Sequence, residues 1–224
     1  SPDSDASTWR ILSLPHDWSI EGDFSLDNPS TPGGGALPGG IGWYRKTFTL
    51  PETDRDKVIY VDFDGVYRNS EVWINGHSLG FRPNGYVSFR YDLTPYLRYG
   101  SQPNVIAVKA DNSEQPNSRW YSGSGIYRNV WLVKVNPVHV DNWGTFVHDM
   151  KISSEEATFA LEVRIRNSSE ADREAEVSTS IYDDRNKVVT ASVTTLLRVP
   201  YTPCYDTRMR EASVDHQFSI PNPK

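Results

Sequence analysis

The sequence holds a single cysteine, Cys204, so no disulfide can form within the chain. That is compatible with the cytosol, and equally with a periplasmic protein that folds on its core alone. Positive charge is also short. Its 23 Lys and Arg face 29 Asp and Glu, a net charge of −6, where a general nucleic-acid binder needs a basic stripe to neutralise phosphates. No apolar run approaches the roughly 20 residues of a membrane-spanning helix. The histidines His16, His77, His139, His148 and His216 are scattered without metal-ligand spacing, and no Ser/His/Asp set can be placed by spacing. The first residues, Ser1 to Ser7, carry neither a basic stretch nor an apolar core of a secretory signal. The last, Ile220-Pro221-Asn222-Pro223-Lys224, follow an alternating run directly, so the expectation is a chain cut from a longer protein.

Aromatic residues are plentiful. Apolar residues make up only 37% of the chain, but Trp, Tyr and Phe together reach 12%, and each buries enough area to build a core. From Trp43 onward, short strands follow one another. Val58 to Phe63 alternates, with Ile59, Val61 and Phe63 on one face and Val58, Tyr60 and Asp62 on the other. Ser70 to Ile74 and His77 to Phe81 flank Asn75-Gly76, the strongest short signal for a hairpin. Strands are predicted over 43–50, 86–92, 105–111 and 126–135, with a turn or single helical turn at Leu93 to Leu97. No segment up to residue 135 sustains a helical period over three turns. This spacing indicates a sandwich or jelly roll.

At Asn136-Pro137 the pattern changes. A long strand from Val138 to Val147 bends at Gly144, and alternating runs follow over 158–166, 175–182, 188–197 and 213–220. The periodicity is immunoglobulin-like, with about five strands where that architecture has about seven. The fold class is therefore all-β: a jelly-roll β-sandwich over residues 1–136, then an immunoglobulin-like sandwich over 137–224 that is incomplete at its C-terminal end.

Several motifs fail on inspection. Gly123-Ser124-Gly125 is not a dinucleotide loop, because the third glycine would fall at Arg128 and the segment enters a strand. The loop 29–42, rich in Gly and Pro, lacks the Gly-Lys-Ser/Thr of a phosphate-binding loop. It reads either as a surface linker or, because Trp43 begins a strand at once, as a tethered loop whose glycines let backbone approach a ligand. Asp62 and Asp64 share a face, which suits acid–base work on a sugar. With Val61 and Phe63 facing the core, a solvated strand face is the stronger reading. Asp111-Asn112 stands where an apolar strand meets a polar loop. A carboxylate there can accept from two adjacent sugar hydroxyls, or it can close an Asx turn. The residues leave both open. The stretch from Asn117 to Leu132 packs Trp120, Tyr121, Tyr127, Arg119 and Arg128 around glycines. Polyhydroxylated ligands need such groups, but the plainer reading gives Arg119 a stack on Trp120 and Arg128 an ion pair.

Taken in order, Leu14-Pro15-His16-Asp17-Trp18, Pro38 to Phe48, Phe63 to Gly76, Tyr91 to Leu97 and Asn117 to Leu132 resemble glycoside hydrolase family 2, and within it the β-galactosidases of Bacteroides-type gut bacteria. The resemblance covers residues 9 to about 150. It implies a sugar-binding jelly roll, an immunoglobulin-like domain, and then a (β/α)8 barrel with both catalytic glutamates, which this sequence does not contain. No catalytic residue is expected here, no cofactor, and no metal, because the other ligands of the cation seen in some members come from the barrel. Asp111 and Asn112 are expected to contact the terminal sugar. Gly39, Gly40, Arg119 and Trp120 are expected on the rim of the site. The implied partners are a β-galactoside and the barrel, and the implied location is periplasmic or secreted. Competing readings are the front end of a family 2 β-glucuronidase or β-mannosidase, and a freestanding carbohydrate-binding module.

Overall fold

The computed structural model describes residues 5–201 and 210–221; Cys204 lies outside the described residues. Among the described residues twelve strands appear in chain order, and the helical content is confined to short 3-10 turns. The chain divides into two compact units, Ser1–Lys134 and Val135–Lys224. No helix among the described residues is long and apolar enough to cross a membrane.

The first unit is a sandwich of two sheets. One has the order β1 (Gly40–Phe48), β6 (Asn104–Asn112), β3 (Ser70–Ile74), β4 (His77–Arg82). The other has the order β5 (Phe89–Asp92), β2 (Val58–Phe63), β7 (Val130–Val135). Alternation decides which residues meet between them. Val61 and Phe63 from β2 and Tyr91 from β5 pack with Val72 and Ile74 from β3 and Val108 and Ala110 from β6. All are 9% exposed or less, and burial of this kind stabilises by roughly 1.5–3 kcal/mol per large side chain. Ile126, from the loop before β7, closes one end of the core.

The hairpin signal is realised as predicted. Asn75 and Gly76 sit at φ 49° and 84° between β3 and β4, the two positive values of a type I′ turn. The Asn75 side chain also accepts from the Val105 amide and donates to the Tyr96 carbonyl, so it joins the turn to β6. Asp62 and Asp64 are structural. Arg90 grips Asp62 through two hydrogen bonds of 2.6 Å, and Asp64 accepts the Trp131 indole N–H at 3.0 Å.

Three strand starts in this unit differ from the predicted ones by three residues or more, each for a local reason. The strand expected from Tyr86 begins only at Phe89, because Asn84 Oδ1 accepts the Tyr86 and Val87 amides and diverts them from a ladder. The strand expected from residue 126 begins at Val130, since Gly125 pairs instead with Tyr67 in an isolated bridge. Strand β1 starts earlier than expected, at Gly40. Its glycine-rich approach is an ordered loop rather than a linker: Ser30 and Leu37 are buried, and the Ser30 hydroxyl donates to the Leu37 carbonyl.

In the second unit, β8 (Val138–Ile152), β9 (Glu156–Asn167) and β12 (Glu211–Pro221) form a sheet of order β12-β9-β8. Strands β10 (Arg173–Thr179) and β11 (Val193–Val199) form a separate pair. Strand β11 begins five residues after the predicted start at Val188, which makes only an isolated bridge to Tyr182. Val163, Ile165, Val177 and Val199 are the buried core. His216 is buried there between the hydroxyls of Thr179 and Thr195, at 2.8 and 3.1 Å. The bend predicted at Gly144 coincides with a register shift between Val140 and Thr145. A Cβ at Gly144 would stand 2.7 Å from the Asp141 carbonyl, so the bulge requires glycine.

Beside that bulge, Arg166 holds Asp141 through two hydrogen bonds and also reaches Glu211 at 2.6 Å. Burial pushes the Asp141 pKa up, but the hydrogen bonds and charge of Arg166 outweigh it and leave the carboxyl below its ordinary value. A depressed folded-state pKa stabilises fully above the unfolded value and is lost as pH falls through the folded one. The second unit should therefore lose stability on acidification below about pH 4. Urea midpoints measured across that range should fall, and should fall less steeply in Asp141→Asn.

Candidate functional site

The residues expected to meet a ligand gather in the first unit where β6 ends. Successive residues on a strand face opposite ways, and β6 shows the consequence. Val108, Ala110 and Asn112 point inward, while Lys109 and Asp111 are partly exposed on the outer face. The adjacent pair Asp111-Asn112 is thus split between two environments.

Asp111 lies on the solvent side. Its Oδ1 accepts the Ser113 amide at 3.1 Å and the Ser113 hydroxyl at 2.5 Å, which is an Asx turn ending the strand. Lys109 Nζ stands 3.5 Å from Oδ2 and 3.2 Å from Glu71. Burial raises the Asp111 pKa, but the Ser113 bonds and the Lys109 charge prevail and hold the carboxyl below its ordinary value. It is an ionised acceptor with lone pairs left over, Oδ2 above all, since a carboxylate offers about four acceptor sites.

Asn112, also expected at the sugar, is instead turned into the fold. It is only 2% exposed. Its amide NH2 donates to the Gly123 carbonyl at 2.9 Å and the Ser124 hydroxyl at 2.8 Å, and its oxygen accepts from Asn117 at 2.6 Å. Both ends of the side chain are engaged inside the fold, where they pin the loop 117–125 to the sheet.

A second anchor for that loop comes from the far end of the chain. Asp17 Oδ1 accepts the amides of Ser19 and Ser124, at 2.9 and 2.8 Å, and Oδ2 accepts the Tyr121 hydroxyl. Burial and the Asp17 charge push the Tyr121 pKa up, so the phenol stays a donor. The backbones of 16–18 and 124–126 also bond directly, His16 to Ile126 and Trp18 to Ser124. His16 Nδ1 lies 2.8 Å from the Tyr44 hydroxyl, whose pKa burial pushes up to about 12. Nothing in the Leu14 to Trp18 run by itself marks Asp17 as this clasp.

Of the rim residues, Gly39 is held by close packing. A Cβ there would sit 2.7 Å from the Asn112 carbonyl. Gly40 pairs with Asn112 at the start of β1. Arg119 is exposed and makes no ion pair among the described residues, and it does not stack on Trp120. Trp120 is 61% exposed. Arg128 lies over the Tyr127 ring, at 5.6 Å, rather than in an ion pair. The seam between loop and sheet, lined by Ser19, Leu37, Asn112 and Tyr121, encloses only about 10 Å³, room for one water at most. That space is too small for a sugar ring. Among the described residues no three His, Cys, Asp or Glu side chains are grouped to hold a metal.

The family profile described as "Glycosyl hydrolases family 2, sugar binding domain" matches residues 23–136. The chain is 57% identical over 181 residues to the β-galactosidase BoGH2A of Bacteroides ovatus, a match covering 81% of this chain and 21% of that protein. It is 33% identical over 207 residues to a β-glucuronidase of Formosa agariphila, covering 83% of this chain and 21% of that protein. Among solved structures, a glycosyl hydrolase family 2 member from Bacteroides cellulosilyticus superposes with a TM-score of 0.90 at 35% identity, covering 99% of this chain and 28% of the other. The chain spans about a fifth of the length of the curated relatives it matches. With a profile matching half its length and a sandwich that superposes on a member's structure, the chain belongs to glycosyl hydrolase family 2.

Proposed function

We propose that this chain is the front part of a retaining β-galactosidase, and that it shapes the sugar site of a catalytic barrel supplied by a longer polypeptide. The 57% identity to a β-galactosidase carries the reading. Asp111 holds hydroxyls of the terminal galactose, while the 33–42 and 117–125 loops form the rim. The second unit is a spacer, and the whole enzyme works in the periplasm or outside the cell. Retention requires two carboxyls about 5–5.5 Å apart; the resemblance places both on the barrel, so this chain by itself hydrolyses nothing.

The β-glucuronidase among the relatives supports a second reading. Nitrophenyl glycosides distinguish the two. The longer polypeptide should hydrolyse the β-galactoside at least tenfold faster than the β-glucuronide or β-mannoside, and the 224-residue chain alone should hydrolyse none. A preference for the glucuronide overturns the galactosidase assignment, and turnover by the chain alone overturns its non-catalytic role.

A further inference from the structure

Large aromatic side chains are ordinarily covered, and one that is both bare and firmly held calls for a reason. Tyr86 and Trp120 are such a pair, 51% and 61% exposed. Each is fixed from behind. The Tyr86 amide is bound by Asn84 Oδ1, and its ring packs edge-on against Tyr67 at 5.3 Å. Tyr67 is itself 4% exposed. The Trp120 carbonyl accepts the Ser118 hydroxyl at 2.6 Å, and its indole N–H reaches the Tyr86 hydroxyl at 3.4 Å. Tyr127 ties the two loops together by donating to the Gly85 carbonyl at 2.8 Å.

This wall is continuous with the end of β6. The Tyr67 hydroxyl donates to Asn117, Asn117 donates to Asn112, and the Arg68 carbonyl accepts the Asp111 amide. Next to Trp120 in the chain is the exposed guanidinium of Arg119, with no ion pair among the described residues. Rigid ring faces beside an unengaged planar donor suit a pyranose ring. Its polarised C–H bonds seek the electron-rich face of an aromatic ring, and its hydroxyl edge seeks donors. A purely apolar partner would leave the guanidinium without a function.

We propose that Tyr86 and Trp120, with Arg119, form an aromatic platform for a second sugar ring, so that the ligand is a galactose-terminated oligosaccharide rather than a single galactose. The platform rests on the reading of Asp111 as the contact for the terminal ring. It adds Tyr86 as a specificity residue, and it makes ring number the property being selected.

The test is ¹H–¹⁵N NMR of the 224-residue chain, with the indole N–H of Trp120 assigned by its loss in Trp120→Phe. Galactose and a galactose-terminated trisaccharide are titrated to millimolar concentration. The trisaccharide should shift the Trp120 indole, and galactose should leave it in place. Trp120→Ala should weaken trisaccharide binding by about fivefold to tenfold, with Trp120→Phe restoring most of it and the dispersion of the spectrum showing that the fold persists. A Trp120 indole unmoved by the trisaccharide overturns the platform, even where Ser113 and its neighbours respond. A moving indole with a silent Ser113 keeps the platform and overturns the role of Asp111.

Discussion

Gly125→Ala should destabilise the first unit by roughly 3 kcal/mol and lower its melting temperature by roughly 10 °C. Gly125 sits at φ 119°, a region that side chains with a Cβ rarely adopt, at a penalty of about 1–3 kcal/mol. Space is lacking as well. The added Cβ would stand 2.2 Å from the Tyr44 hydroxyl and 3.0 Å from both the His16 carbonyl and the Trp18 ring. Tyr44 cannot swing aside freely, because its hydroxyl is bound to His16 and meets the Ile126 amide at 3.4 Å. Gly125 also exchanges two backbone hydrogen bonds of 2.9 Å with Tyr67, so a shift of its backbone loosens the support of the aromatic wall. Thermal unfolding followed by tryptophan fluorescence reads the effect. A wild-type melting temperature would mean that the 117–125 loop does not seat against Tyr44 and Trp18 as described.

How much of this could be read from residues alone follows the range of the interactions. The β3–β4 hairpin was legible because Asn75-Gly76 encodes its turn locally. The alternation of β2 was legible because one face is core, and the structure buries Ile59, Val61 and Phe63. The late start of β5 was not, because one side chain, Asn84, redirects two amides against the β propensity of Tyr86 and Val87. The clasp from Asp17 to Ser124 spans 107 residues, and no periodicity reports a contact at that separation. The split of Asp111 from Asn112 is an intermediate case. The period of β6 already carried it, since Val108 and Ala110 turned inward require Asn112 to do so too.

Asp111→Ala should have the largest kinetic effect of any substitution in this chain. The wild-type carboxylate is ionised and has acceptor capacity beyond the Ser113 bonds. Each hydrogen bond from a sugar hydroxyl to a charged acceptor contributes about 1.5–3 kcal/mol, and two of them, realised in the transition state, amount to roughly a hundredfold to ten-thousandfold in kcat/KM. The fold should tolerate the change, because Asp111 lies on the outer face of the sheet and its side-chain bonds are those of one turn and a contact with the part-exposed Lys109. Asp111→Asn separates the two contributions: its side-chain oxygen can still accept the Ser113 amide, but it lacks the charge. It should melt as wild type does and retain only a small part of the activity.

The most direct test is therefore kcat/KM on nitrophenyl β-galactoside for the longer polypeptide carrying this chain, compared between wild type, Asp111→Asn and Asp111→Ala with melting temperatures measured alongside. A loss of about a hundredfold or more in Asp111→Ala at an unchanged melting temperature is the predicted result. Near-normal turnover in both variants would contradict the placing of the sugar at the end of β6.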